Sequence, residues 1–208
     1  MPSLARFLRL LLLSVLLAGP AAAQPPPVDT ARLADMLRNP ALPDTLRLRA
    51  GLALAETMGT DAASQARHRR LLLRLLPWAR RIGAVRAEVR ALQELVLVAE
   101  QTDDQAGLLL YVRQGIARAR QLQQWAALVA FYHNLGGIYF EQQRIEEARR
   151  YLEVAAAVMQ QHPVSASTEA TLMGLLSNTY LELNQAGPAR RAFRRALVLS
   201  RTLPNPLY

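Results

Sequence analysis

Cysteine is missing from all 208 residues, so disulfides, thiolate metal sites, thiol nucleophiles and lipid attachment at a thiol are excluded. Stability has to come from packing. Lysine is missing too: all 25 basic residues are arginine, set against 16 acids for a formal charge of +9. So uniform a choice of base reads as coding bias as much as selection, and it points to no particular ligand. Aromatic residues make up only 6% while 51% of the chain is apolar, chiefly Leu and Ala, which is a helix-former's composition with few β-branched runs. An all-α protein with a sizeable core is expected.

The usual signatures of chemistry are absent as well. His68, His133 and His162 lie far apart and show no metal-ligand spacing. There is no Gly-rich phosphate loop, no G-x-S-x-G elbow and no H-E-x-x-H. The paired acids Asp103-Asp104 and Glu146-Glu147 stand at helix starts, where negative charge complements the helix dipole. Nothing argues for an enzyme, a cofactor or a bound metal.

Long apolar runs are confined to the N-terminus. Residues 1–23 have the three parts of a secretory signal: Arg6 and Arg9, the apolar stretch Leu10 to Ala18, and Ala21-Ala22-Ala23 as the cleavage site before Gln24. Removing those two arginines takes the balance from +9 to +7. No later segment reaches the roughly 18 uncharged apolar residues of a spanning helix. The mature chain is therefore expected beyond the inner membrane, in the periplasm or secreted, with no membrane span and no nucleic acid as partner.

Gln24-Pro25-Pro26-Pro27 opens residues 24–43 as a stiff linker, with a short helix between Val28 and Arg38 before Asn39-Pro40 and Pro43. Asp44 or Thr45 is expected to cap a helix running to Met58, and Gly59-Thr60-Asp61 to stop it and cap the next. That next helix is read from Ala62 to Leu76, ending at Pro77, with Trp78 to Gly83 as a turn. Residues 44–203 form the helical domain and 204–208 a tail.

Beyond the turn that ends at Gly83 the spacing is regular. Ala130 to Gln160 reads as two helices folded back on one another: Tyr132, Leu135, Gly136 and Tyr139 share one face of the first, and Ala148, Leu152 and Ala155 one face of the second. Leu92, Leu95, Val96 and Ala99 with Leu108, Val112 and Gly115 repeat that spacing upstream. Met173, Leu176, Ser177 and Tyr180 with Ala189, Phe193 and Ala196 repeat it downstream. Ala99, Tyr139 and Tyr180 lie 40 and then 41 residues apart, while the gap inside each hairpin, such as Tyr139 to Ala148, stays at nine. Longer helices or a longer linking turn must absorb the difference from a 34-residue repeat. Among the turn residues, Gly187 suits a helix end and Pro188 a helix start.

The pattern Tyr132-x2-Leu135-Gly136-x2-Tyr139 followed by Ala148-x3-Leu152 resembles the tetratricopeptide repeat family, with Tyr for the first Trp and Leu for Phe. The resemblance implies a right-handed superhelical array of three to four antiparallel helix hairpins, because one hairpin cannot bury both apolar faces alone. Leu46 to Leu76 would be a degenerate first unit. Gly115, Gly136, Ala148 and Ala155 are then small because two helices approach closely.

In the family the first helices of successive hairpins line a concave groove that takes a peptide or helix of a protein partner. Carried onto matching positions, the groove comprises Gln93, Leu97 and Glu100, then His133, Gly137 and Phe140, then Asn178, Leu181 and Glu182. The family's lysine-based grip on a peptide carboxylate has no counterpart here. The chain is also similar to exported repeat regions of membrane-bound bacterial histidine kinases, which implies, as the alternative to an envelope adaptor, a sensory input module separated from its kinase. Two arginine clusters, Arg67, Arg69, Arg70 and Arg74, and Arg190, Arg191, Arg194 and Arg195, are expected to face solvent, with Ala189, Phe193, Ala196 and Leu197 buried behind the second. Leu197, Leu199 and Leu203 at the chain's end offer a contact to a second copy or a partner.

Overall fold

The computed structural model describes residues 28–203, and every regular element among them is an α-helix. The expected signal over residues 1–23, Gln24–Pro27 and residues 204–208 lie outside the described residues. Two compact units divide the chain, Met1–Thr30 and Ala31–Tyr208; apart from Thr30, all that follows belongs to the second. Its helices are α1 (Thr30–Arg38), α2 (Asp44–Glu56), α3 (Ala62–Arg81), α4 (Val85–Gln101), α5 (Gln105–Gln121), α6 (Trp125–Glu141), α7 (Ile145–Gln161), α8 (Ala166–Glu182) and α9 (Ala186–Ser200). From α2 onward each packs on the next, giving four antiparallel hairpins.

The 40-residue period resolves into two units of 20. Helices α4 to α7 are each 17 residues long and are separated by three-residue turns, so the length beyond a 34-residue repeat sits in the helices. Each turn is closed in the same way. Gly83, Asp103, Gln123 and Gln143 have positive φ (66°, 55°, 54° and 61°), and the residue after each donates its N–H to a carbonyl five residues back, as Arg144 does to Tyr139 at 2.9 Å. This is a Schellman ending, in which the left-handed residue lets the chain satisfy the last helical carbonyls. The next residue in the series would be Pro163, whose ring forbids positive φ. There the chain instead runs extended through His162 to the Ser165 cap, which adds one residue and produces the 41-residue shift. Asn184 (φ 57°) then restores the pattern, so the helix-end residue is Asn184, and Gly187 lies inside the first turn of α9.

Glutamine is a poor choice for the left-handed region, which penalises a Cβ. Replacing Gln143 by Gly should therefore raise unfolding stability by about 0.5–1 kcal/mol in urea titration, since relief of backbone strain exceeds the entropy cost of Gly. A loss of stability would mean that the glutamine side chain contributes something the turn geometry does not reveal.

The first hairpin departs from expectation at two points. Pro43, without a side-chain bond, precedes α2, while Asp44 is already helical and binds Arg47 at 3.1 Å. Helix α3 does not stop before Pro77 but continues to Arg81. Proline deprives the Leu73 carbonyl of its helical donor, and Leu73 and Pro77 both face solvent, so water can satisfy that group while Leu72, Leu75, Leu76 and Ala79 stay buried.

Close approach explains the small residues. A Cβ on Gly136 would lie 2.6 Å from Leu152 across the α6–α7 hairpin, and one on Gly115 would lie 2.4 Å from the ring of Phe131 on the following hairpin. The register of the array is thus set by notches within and between hairpins.

Among the first helices of the hairpins, α2 touches α4, α4 touches α6 and α6 touches α8, whereas the second helices α3, α5, α7 and α9 do not reach one another. The array therefore curves with α2, α4, α6 and α8 on its inner side.

Candidate functional site

The inner surface is built from residues that the packing leaves over. On α6 the buried set Phe131, Tyr132, Leu135, Gly136, Ile138 and Tyr139 leaves His133, Gly137 and Phe140 half-buried. On α4, Gln93 is half-buried and Leu97 and Glu100 are exposed; on α8, Asn178, Leu181 and Glu182 are all exposed. The nine groove residues thus sit on three adjacent inner helices. The position Gly137 would give a Cβ is 3.8 Å from Leu175 of α8, ordinary contact distance, so this glycine borders the seam between neighbouring inner helices without being needed for their approach. His133 contacts Asn134 Oδ1 at 3.3 Å through Nδ1, and burial holds its pKa below the ordinary value despite that contact.

Spacing did not reveal the polar network at the α2 end of this surface. Arg90 reaches Glu56 of α2 at 2.9 Å and Glu94 at 3.3 Å, bridging two inner helices. Behind it lies His68 of α3, 4% exposed, at the repeat position filled by Leu108, Ala148 and Ala189 in the later hairpins. Its Nε2 is 3.7 Å from Glu94 Oε2, beyond hydrogen-bond reach, and neither ring nitrogen has a hydrogen-bond partner among the described residues. Burial lowers the His68 pKa, with Glu56 opposing; burial raises that of Glu94, with Arg90 opposing.

A histidine with a depressed pKa favours the folded state above its unfolded pKa and loses that contribution as pH falls through the folded value, because the unfolded chain protonates first. His68 and His133 both act in this direction. Replacing His68 by Leu, the residue of the next copy, should add about 1–2 kcal/mol at pH 7 by removing unpaired buried nitrogens. The variant should also lose less stability than the parent between pH 7 and pH 5, as read by thermal melts. Equal pH slopes in the two proteins would rule out this role for His68.

The other expected sites divide. Asp104 caps α5, accepting from the Gly107 N–H at 2.9 Å, while Glu146 and Glu147 occupy the first turn of α7 and bind Arg149 and Arg144. Arg69 is held by Asp104 at 2.8 Å. His162 stacks on Trp125 with centroids 4.1 Å apart. No group of three or more His, Asp or Glu gathers as a metal site among the described residues, and no described helix is long and apolar enough to cross a membrane.

The outer side carries a depression of about 420 Å³ between α7 and α9, floored by Ala156, Ala157, Met173 and Leu176. At its rim Tyr180 donates to Glu153 at 3.1 Å, and Arg149 binds both oxygens of that carboxylate at 2.9 Å. These groups satisfy one another and tie α7 to α8.

The last hairpin corrects the sequence reading. Arg190, Arg191, Arg194 and Arg195 do face solvent, but Phe193 is 50% exposed and Leu197 half-buried. The buried face of α9 is Ala189, Ala192, Ala196 and Leu199, so Leu199 belongs to the core and Leu203 is half-buried.

Residues 127–201, from α6 to the end of α9, match the family Tetratricopeptide repeat. These hairpins are tetratricopeptide repeats. The buried positions Leu92, Leu95, Val96, Ala99, Leu108 and Val112 extend the same arrangement to α4 and α5, outside the matched residues. Among solved structures, the crystal structure of BtubC (BKLC) from P. vanneervenii is similar, with a TM-score of 0.65 over 85% of this chain and 73% of that chain at 16% identity. At that identity the likeness speaks for the fold alone. No curated protein matches the chain. Tetratricopeptide repeats are typically non-catalytic interaction scaffolds, which points to protein partners.

Proposed function

We propose that this chain is a non-enzymatic adaptor of the bacterial cell envelope, exported by its N-terminal signal, that holds a peptide or helix of a protein partner along the inner surface of α4, α6 and α8. The observation that carries the reading is the inner row itself. Leu97, Phe140 and Leu181 are apolar groups left partly or largely open, interleaved with Gln93, His133 and Asn178, on helices brought side by side. Apolar side chains give such a surface affinity, and the polar ones between them can bind the main chain or polar side chains of a bound segment. The charged members of the row, Glu100 and Glu182, stand at its ends and are both acidic, while the groups between them suit a partner recognised by shape and hydrogen bonding.

Photo-crosslinking in intact cells tests this directly. A photoreactive residue at Asn178 or Leu97 should yield a discrete protein adduct, and one at the outer-face Leu110, itself 51% exposed, should not. Adducts from Leu110 alone would overturn the inner-surface reading. Fractionation of the same cells checks export: the mature chain should begin at Gln24 and be released with the envelope contents, whereas an uncleaved cytosolic protein would remove the envelope from the proposal.

A further inference from the structure

The last hairpin presents a second surface, separate from the inner groove. Phe193 occupies the repeat position of Val112 and Leu152, both of which are fully buried. On α9 the same position is half open, and Leu197 lies one turn further along the same side. Arg190, Arg194 and Arg201 run beside this stripe, all exposed, and none has an acidic partner among the described residues. Arg195, on the other side of the helix, is engaged by Glu169 at 2.6 Å.

The preceding copy shows what such a face receives. Helix α8 lies on α7, with Met173, Leu176 and Tyr180 lining one depression together with Ala156 and Ala157, and Tyr180 donates to Glu153. Position 153 becomes Arg194 in α9, so the hydrogen-bonding polarity inverts. A helix docked there in the manner of α8 must bring an acceptor where α8 brings a hydroxyl donor. With Arg190 and Arg201 alongside, that acceptor is best a carboxylate among other acids. A second copy meeting this face with its own would set arginine against arginine, which disfavours a symmetric dimer.

We infer that the Phe193–Leu197 side of α9 takes an acidic amphipathic helix of a protein partner, docked as α8 docks on α7. The probe is a synthetic 17-residue helix with Leu at the places of Met173 and Leu176, Glu at that of Tyr180, and further Glu on its flanks, titrated onto the full chain by fluorescence anisotropy. Saturable binding is expected. It should weaken about tenfold with Arg194→Glu, with Phe193→Ser and with a probe whose Glu residues are replaced by Lys. Leu110→Ser should leave it unchanged, and the two α9 variants should melt like the parent because both side chains are exposed. Absence of saturable binding, or binding indifferent to both α9 substitutions, overturns the inference. So does concentration-dependent self-association abolished by Phe193→Ser, which would give the face to a second copy.

Discussion

Replacing Phe131 by alanine should lower stability by about 3–5 kcal/mol, the cost of emptying a fully buried aromatic site. The ring is completely enclosed and rests in the notch over Gly115, where α5 of one hairpin meets α6 of the next. The same two repeat positions hold Leu75 and Ala91 one copy earlier, and Ala155 and Leu172 one copy later. In each case one partner is large and the other small, so the joint between hairpins is filled to a similar volume with the bulk coming from either side. All of these side chains other than Gly115 are between 0 and 2% exposed. A Phe131→Ala chain should consequently recover a large part of the loss when Gly115 is replaced by Leu, which recreates the Leu75/Ala91 arrangement. Gly115→Leu alone, with the ring in place, should destabilise by about 1–3 kcal/mol through overpacking. Denaturant titrations of the four proteins measure the coupling; strictly additive losses would show that the two sites do not share one joint.

This joint marks the limit of what the sequence discloses. The hairpins were legible because the same apolar and small positions return at 40 residues, and a helix with such a face has to bury it. The inner row from Gln93 to Glu182 came from carrying the groove of the resembled family onto those repeat positions. Which residue touches which across a joint was not legible: Gly115 announced a close approach, but nothing in the spacing named Phe131 as the side chain that fills it. The left-handed residues that close the turns were hidden for a different reason. Gln123 and Gln143 carry no turn signal, since the geometry there is imposed by the packed helices on either side and not by local preference. Pro77 misled because a proline is tolerated where the orphaned carbonyl faces water. Phe193 misled because its counterpart Leu152 packs into the notch over Gly136, whereas the last hairpin carries Ser177 at that place.

Glu88 is the other residue whose removal should be felt strongly. It lies on the first turn of α4, 1% exposed, yet its carboxylate is fully engaged: Arg80 of α3 donates to Oε1 at 2.8 Å, and Arg118 of α5 binds Oε1 and Oε2 at 2.7 and 2.6 Å. Burial would by itself raise the pKa of this group, but the bonds from Arg118 and then Arg80 outweigh it and hold the carboxyl below its ordinary value. Glu88→Ala leaves a void and two arginines without their shared acceptor, and should cost about 2–4 kcal/mol. The repeat supplies the control. Position 88 becomes the buried Leu128 in the next hairpin and Glu169, paired with Arg195, in the last. An apolar side chain of similar volume therefore fits the site, and Arg80 and Arg118, with side chains 42% and 30% exposed, can turn to water. Glu88→Leu should accordingly cost less than about half of what Glu88→Ala does, in line with the near-neutral exchange of buried ion pairs for packed apolar groups. The two variants also separate in acid. A carboxylate with a depressed pKa stabilises the fold above its unfolded pKa and loses that contribution as pH falls through the folded value. Stability of the parent should hence decline more steeply below about pH 4.5 than that of Glu88→Leu, in which this group no longer titrates. Parallel pH curves in chemical denaturation would show that the arginine clamp contributes packing but no net charge stabilisation.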